Sequence, residues 1–172
     1  SRALENYIAY NRIEDSPGGN SSRLVDLSNC GFSVIIGNDL HQASTTENNN
    51  AIGYGPEGCD HRTDKQMKLF VINNTFVNED RRGTFVRNFA GGDVLGGNNL
   101  LFGHGDILSG GGIETNNFRQ DLSDRRPGTW QPVKGSPVVD NALDLPKVEG
   151  VSLVPTHEFK PPVGINDRPG HG

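Results

Sequence analysis

The sequence predicts an all-β fold, a right-handed parallel β-helix with an irregular C-terminal tail, on three observations. A six-residue pattern recurs along the first part of the chain, the composition favours frequent tight turns, and the apolar runs are short and β-branched. The pattern is an apolar residue, two variable positions, Asn, one variable position and a second apolar residue. Its copies are Ile8 to Ile13 around Asn11, Ile35 to Leu40 around Asn38, Val71 to Phe76 around Asn74, and Leu95 to Leu100 around Asn98. The asparagines are spaced by 27 (11 to 38), 36 (38 to 74) and 24 residues (74 to 98), within the range of solenoid repeats, and the long middle spacing reads as a rung with an insertion.

Rungs stacked about 4.8 Å apart set like residues over like. Asn11, Asn38, Asn74 and Asn98 are therefore expected to form one amide ladder at a bend, with the flanking apolar residues inside the tube. Between these copies lie further strand-like runs, Arg23 to Leu27, Ala51 to Tyr54 and Thr84 to Arg87. The 23 Gly and 18 Asn supply residues that tolerate left-handed backbone at turns. Helices are excluded because nowhere do apolar residues keep a 3.6 period for three turns.

Cys30 and Cys59 are 29 positions apart, too sparse for a zinc site, and fit either a disulfide or two buried thiols. Each follows a strand-like run by a few residues, so adjacent rungs would bring them close. After Leu108 the pattern dissolves. Gly110-Gly111-Gly112 reads as a hinge, which divides the chain into rungs over 1–109 and an extended tail over 110–172 that packs on the solenoid or caps it.

The net charge is −5 without a dense basic cluster, which excludes a nucleic-acid partner. Small basic groups remain, Arg81-Arg82, Lys65 with Lys68, and Arg125-Arg126, and these suit an acidic sugar. No run of about 18 apolar residues exists, so no membrane span is expected. The triplets Asn20-Ser21-Ser22 and Asn73-Asn74-Thr75 match the glycosylation acceptor pattern and are read as chance.

Three stretches resemble the bacterial parallel β-helix repeat proteins of the pectate-lyase-like superfamily: Ala51 to Gly58, Phe70 to Asn78, and Gly135 to Asp140 followed by Leu153 to Glu158. The resemblance implies a right-handed β-helix, an extracellular or periplasmic location and a polysaccharide partner. It also implies further rungs upstream, so an N-terminal remainder of the same β-helix is an expected partner. Enzymes of that kind act on acidic polysaccharides. A lyase uses Lys or Arg to abstract the proton beside a uronate carboxylate, which calcium or a basic side chain neutralises. No Asp-x-Asp-x-Asp-Gly loop occurs, so a calcium site would need ligands from different rungs, no metal residue is assigned, and the cofactor is left open.

The insertion Gly55 to Lys65 gathers the polar residues such chemistry needs, because inserted loops on rigid scaffolds collect function. His61 and Lys65 there, with Arg87 on a strand, are the candidate catalytic residues. Glu57, Asp60, Arg62 and Asp26 are the candidate substrate-binding residues, Asp26 standing two rungs before Arg87. His41 and His104 do not share a register and are not expected to bind a metal; His157 and His171 read as incidental. A secreted module that binds or degrades an acidic polysaccharide is the first expectation. A non-catalytic extracellular structural or adhesive module is the second.

Overall fold

The computed structural model describes residues 3–168 apart from Pro17 and Asn20; His171 and the first acceptor triplet's Asn20 lie outside them. The chain runs in circuits of three short strands. These are β1 (Glu5–Ala9), β2 (Arg12–Glu14) and β3 (Val25–Leu27), then β4 (Phe32–Ile36), β5 (Asp39–Gln42) and β6 (Asn50–Tyr54). The third circuit is β7 (Lys68–Ile72), β8 (Thr75–Asn78) and β9 (Thr84–Asn88), and the fourth β10 (Asp93–Gly97), β11 (Leu100–Gly103) and β12 (Asp106–Ser109). Every third strand pairs in parallel. Sheet A is therefore β1-β4-β7-β10 with β13 (Ile113–Thr115), sheet B is β2-β5-β8-β11 with β14 (Phe118–Gln120), and sheet C is β3-β6-β9-β12. Parallel stacking satisfies each strand from the circuit before and after it, which is why runs of three to five residues suffice here.

Inward columns follow from the register. One runs Ile8, Ile35, Val71, Gly96 and Glu114 through sheet A, and another Ile13, Leu40, Phe76, Leu101 and Arg119 through sheet B. Ile35, Leu40, Val71 and Leu101 are fully buried and Phe76 nearly so, each burial contributing roughly 1.5–3 kcal/mol. The expected strand runs at 23–27, 51–54 and 84–87 form sheet C, in register.

The asparagine ladder lies at the corner between sheets A and B. Each member sends both its backbone N–H and its Nδ2 to the Oδ1 of the next: Asn11 to Asn38 at 2.9 and 3.1 Å, Asn38 to Asn74 at 3.0 and 3.0 Å. The next rung corrects the sequence reading. Asn74 donates to Asn99, not Asn98, at 3.0 and 3.1 Å, and Asn99 passes the ladder on to Asn117 at 2.9 and 3.1 Å. Register pairs Gly96, not Leu95, with Val71. A one-residue shift in a strand exchanges its faces, so Leu95 lies outside, packed against the hydrophobic cluster of Val34, Ile36, Phe70 and Ile72. The residue before each ladder Asn is left-handed: Tyr10, Gly37, Asn73, Asn98 and Asn116 have φ of 58°, 66°, 53°, 53° and 49°. Asn98 thus belongs to a second, outer file, in which Asn116 Nδ2 donates to its Oδ1 at 2.7 Å.

The expected boundary at Gly110 is also corrected, since β13 and β14 pair onto β10 and β11 and carry the sheets to Gln120. Gly110-Gly111-Gly112 is a tight corner and no hinge. Its φ values are 83°, 92° and 136°, and a Cβ at Gly110 would fall on the backbone oxygen of Asn88.

Beyond Gln120 the chain returns along the stack toward its first circuit. Asn141 O and Leu143 O accept from Asn116 and Asn98, Glu149 meets Lys68 at 3.1 Å, Leu153 packs on Val34 and Ile36, and Thr156 N donates to the Tyr10 hydroxyl at 3.1 Å. This course covers the apolar outer face of sheet A, which would otherwise stand in water. A hairpin, β15 (His157–Phe159) with β16 (Ile165–Asp167), follows. Cys30 and Cys59 form a disulfide, Cα to Cα 5.6 Å, that ties the corner after β3 to the insertion after β6. No helix among the described residues is long and apolar enough to cross a membrane.

Candidate functional site

The insertion expected between the second and third rungs is the 55–67 segment, closed by a short 3-10 turn, Asp64–Gln66. Glu57, Asp60, His61 and Arg62 line one hollow of about 530 Å³ beside the disulfide, with Asn29. Within it Arg62 is committed to holding the loop, since its Nε and Nη2 donate to Asn29 O at 2.9 Å and Ala3 O at 3.0 Å. Lys65 sits on the 3-10 turn, exposed, outside the residues that line the hollow.

Arg87 lies on a different sheet. Its column on the outer face of sheet C runs Asp26, Gly53, Arg87 and Ser109, so Asp26 does stand two circuits before it. Gly53 between them leaves room for the Arg23 side chain; a Cβ there would come 2.6 Å from Arg23 Cδ. Arg23 bonds Asp26 at 3.1 Å, and both Arg23 and Arg87 lie over the Phe89 ring, 5.1 and 4.8 Å from its centre. The three candidate catalytic residues are thus divided between two faces, Arg87 on sheet C and His61 and Lys65 on the insertion.

A better formed site lies elsewhere, between sheet B and the returning chain. Its floor is the outward column Arg12, Asp39, Thr75, Leu100 and Phe118, and its volume is about 490 Å³. Alternation places this column outside because its neighbours Ile13, Leu40, Phe76 and Leu101 turn inward. One wall is the segment with Arg126 and Trp130, the other is β15 with Glu158 and Phe159, joined by Arg168. Arg12 Nη2 meets Asp39 Oδ2 at 2.8 Å, and its guanidinium lies between two rings, 4.5 Å from the centre of Trp130 and 4.9 Å from that of Phe159. Trp130 also meets the edge of His41 at 5.2 Å. Arg126 Nε donates only to a backbone oxygen, Pro132 O at 3.1 Å.

Burial raises the Asp39 carboxyl above its ordinary value, opposed by the hydrogen bond and charge of Arg12 and reinforced by Glu158. Burial likewise pushes the Arg168 guanidinium down, against Glu158, Tyr10 and Asp140. Because the folded state holds the Asp39 proton more tightly than the unfolded chain, its stabilising effect is complete below the ordinary value of 3.8. It is lost as pH rises through the higher folded value. Thermal melts of Asp39→Asn are therefore expected to fall less steeply than those of the parent as pH rises from about 4 toward neutrality. A constant difference in Tm across that range would refute the assignment.

Of the residues lining this cleft the sequence marks Asn38, Asn74 and Asn98 as ladder members, Arg126 as part of a small basic group and His157 as incidental, none of them as members of one site. The remaining signal was the sole Trp, set in Arg126-Pro127-Gly128-Thr129-Trp130, where a large ring in a turn-rich segment needs a partner surface. Arg12, Asp39, Phe159 and Arg168 carry no local mark, and Glu158 enters only as the end of the resembling stretch Leu153 to Glu158. No family model, curated protein or solved structure matches the chain.

Proposed function

We propose that the chain is a right-handed parallel β-helix module, similar to the pectate-lyase-like proteins, that binds an acidic polysaccharide outside the cell in the cleft between sheet B and the returning segment. The convergence of Arg126 and Arg168 on one cleft beside Trp130, above an Arg12 already paired with Asp39, carries this reading. Guanidinium groups pair with carboxylates in a planar fork, and aromatic rings cover sugar faces, so the combination suits a uronate chain. The hand follows from the strong preference of parallel crossovers for the right-handed path, and the disulfide agrees with an oxidising compartment. Binding is favoured over cleavage because Arg87, Lys65 and His61 do not line a common hollow.

Trp130, the sole tryptophan, makes the cleft its own reporter. Polygalacturonate or alginate is expected to change its fluorescence, and a neutral glucan is not. Replacing Arg126 or Arg168 with Ala should weaken uronate binding roughly ten- to a hundredfold, and added salt should weaken it further. Equal binding of the neutral glucan, or unchanged affinity in the double variant, would refute the proposal. Release of unsaturated, ultraviolet-absorbing product would instead favour a lyase.

A further inference from the structure

The cleft over sheet B is not an open trough. Its floor steps from Arg12 through Asp39, Thr75 and Leu100 to Phe118, one residue per circuit, which at about 4.8 Å a step is roughly 19 Å. At the Arg12 end the two walls meet across the floor. The guanidinium of Arg12 has Trp130 of one wall 4.5 Å from it and Phe159 of the other wall 4.9 Å from it, measured to the ring centres. Both separations are those of direct cation–ring contact, so no sugar ring passes between either aromatic and the guanidinium.

Each part of this bar is held by its own element. Asp39 fixes Arg12 through the 2.8 Å ion pair. Trp130 stands on a turn closed by Thr129 N to Arg126 O at 3.0 Å and Arg126 N to Gln131 O at 2.9 Å, and His41 braces its ring from sheet B at 5.2 Å. Phe159 is the last residue of β15, paired with Ile165 of β16. Because the walls flank the floor, an extended ligand lies along the stack, and an internal stretch of polymer would have to leave the cleft at both ends. The bar blocks one of those exits.

The chemistry beside the bar agrees with a terminus. A terminal sugar differs from an internal one by a free hydroxyl where the next glycosidic bond would be, and only the hydroxyl can donate a hydrogen bond. The ionised carboxylates of Asp39 on the floor and Glu158 in the wall are acceptors only. Asp39 gives Oδ2 to Arg12, and its Oδ1 makes no hydrogen bond among the described residues. We infer that the cleft takes the end of a uronate chain, with the terminal sugar against the Trp130, Arg12 and Phe159 bar, its free hydroxyl donated to Asp39 and the uronate carboxylates on Arg126 and Arg168. The inference rests on the uronate reading above and adds which part of the polymer is bound.

The test counts chain ends. The whole protein is titrated, with Trp130 fluorescence as the readout of saturation, against a trimeric uronate and against a long polymer of the same sugar and known mean length. Sedimentation then gives the number of protein molecules carried by each long chain. One protein molecule per chain is expected at both lengths, with equal affinity per mole of chain. Several molecules per long chain, increasing with its length, would overturn the inference and leave the uronate reading standing. Failure of both ligands to bind would overturn the uronate reading and the inference with it. Phe159→Ala opens one side of the bar and is expected to raise the number bound per long chain; an unchanged number in the folded variant would show that the bar is not the stop. Should that variant fail to fold, the counts for the parent protein at the two lengths decide the matter.

Discussion

Asn74→Ala is expected to destabilise the chain by roughly 3–5 kcal/mol, read as a lower urea midpoint at unchanged slope. Its side chain is almost fully buried and serves five bonds. Nδ2 donates to Ile35 O at 2.9 Å, Ile72 O at 3.1 Å and Asn99 Oδ1 at 3.1 Å, while Oδ1 accepts the N–H and Nδ2 of Asn38. Truncation leaves the backbone N–H of Asn38 without its acceptor and takes a partner from Asn38 Nδ2, Ile35 O and Ile72 O in an enclosed site, although Asn38 Nδ2 keeps Ile8 O and Ile36 O and Ile72 O keeps the Gly37 N–H. Each orphaned buried group costs about 1–3 kcal/mol. Asn11→Ala offers the internal control. Asn11 is exposed, water can replace what is lost, and a cost of about 1 kcal/mol or less is expected. Similar costs at both positions would mean that the ladder does not stabilise through its buried polar groups.

Gly110→Ala is expected to cost roughly 3 kcal/mol or more, and Gly111→Ala only about 1 kcal/mol. Both residues have positive φ, so both substitutions meet the left-handed penalty. They differ in what the new methyl would touch. At Gly111 nothing lies within 4 Å, whereas at Gly110 the methyl meets the backbone oxygen of Asn88. That oxygen belongs to β9, and Asn88 is itself held by bonds from its Nδ2 to Gly92 O at 2.8 Å and Gly111 O at 3.2 Å. The obstacle is main chain locked in a sheet, which cannot rotate aside as a side chain would. Equal costs for the two variants, measured by chemical denaturation, would show that the corner yields.

The contrast between those glycines shows what one-dimensional patterning can and cannot reveal. The Asn repeat was legible because stacking demands the same residue at the same corner, and Asn11, Asn38 and Asn74 satisfied it with apolar flanks. It slipped at Asn98 because the true inward position, Gly96, has no side chain, and the outward Leu95 matched the pattern in its place. Beside Gly96 the core instead draws on Ile107, whose Cγ2 would lie 3.9 Å from a Cβ there. Gly110 to Gly112 carried a composition shared by hinges and by corners, and only the neighbouring backbone distinguishes them. The insertion was legible as a departure from the repeat spacing. The cleft was not, since Arg12 and Phe159 meet through the return of a segment that has no period of its own.

That return path also changes how the molecule comes apart. In an open stack each circuit touches only its neighbours, so the ends fray first and unfolding proceeds circuit by circuit. Here residues separated by 146 positions are joined, Thr156 to Tyr10, while the same segment grips Asn116 and Asn98 at the far end. Loss of either terminal circuit then releases the segment that covers sheet A, exposing Val34, Ile36, Phe70 and Ile72 together. Contacts that join the two ends of a modular stack couple its circuits, so loss of one end is expected to weaken the other.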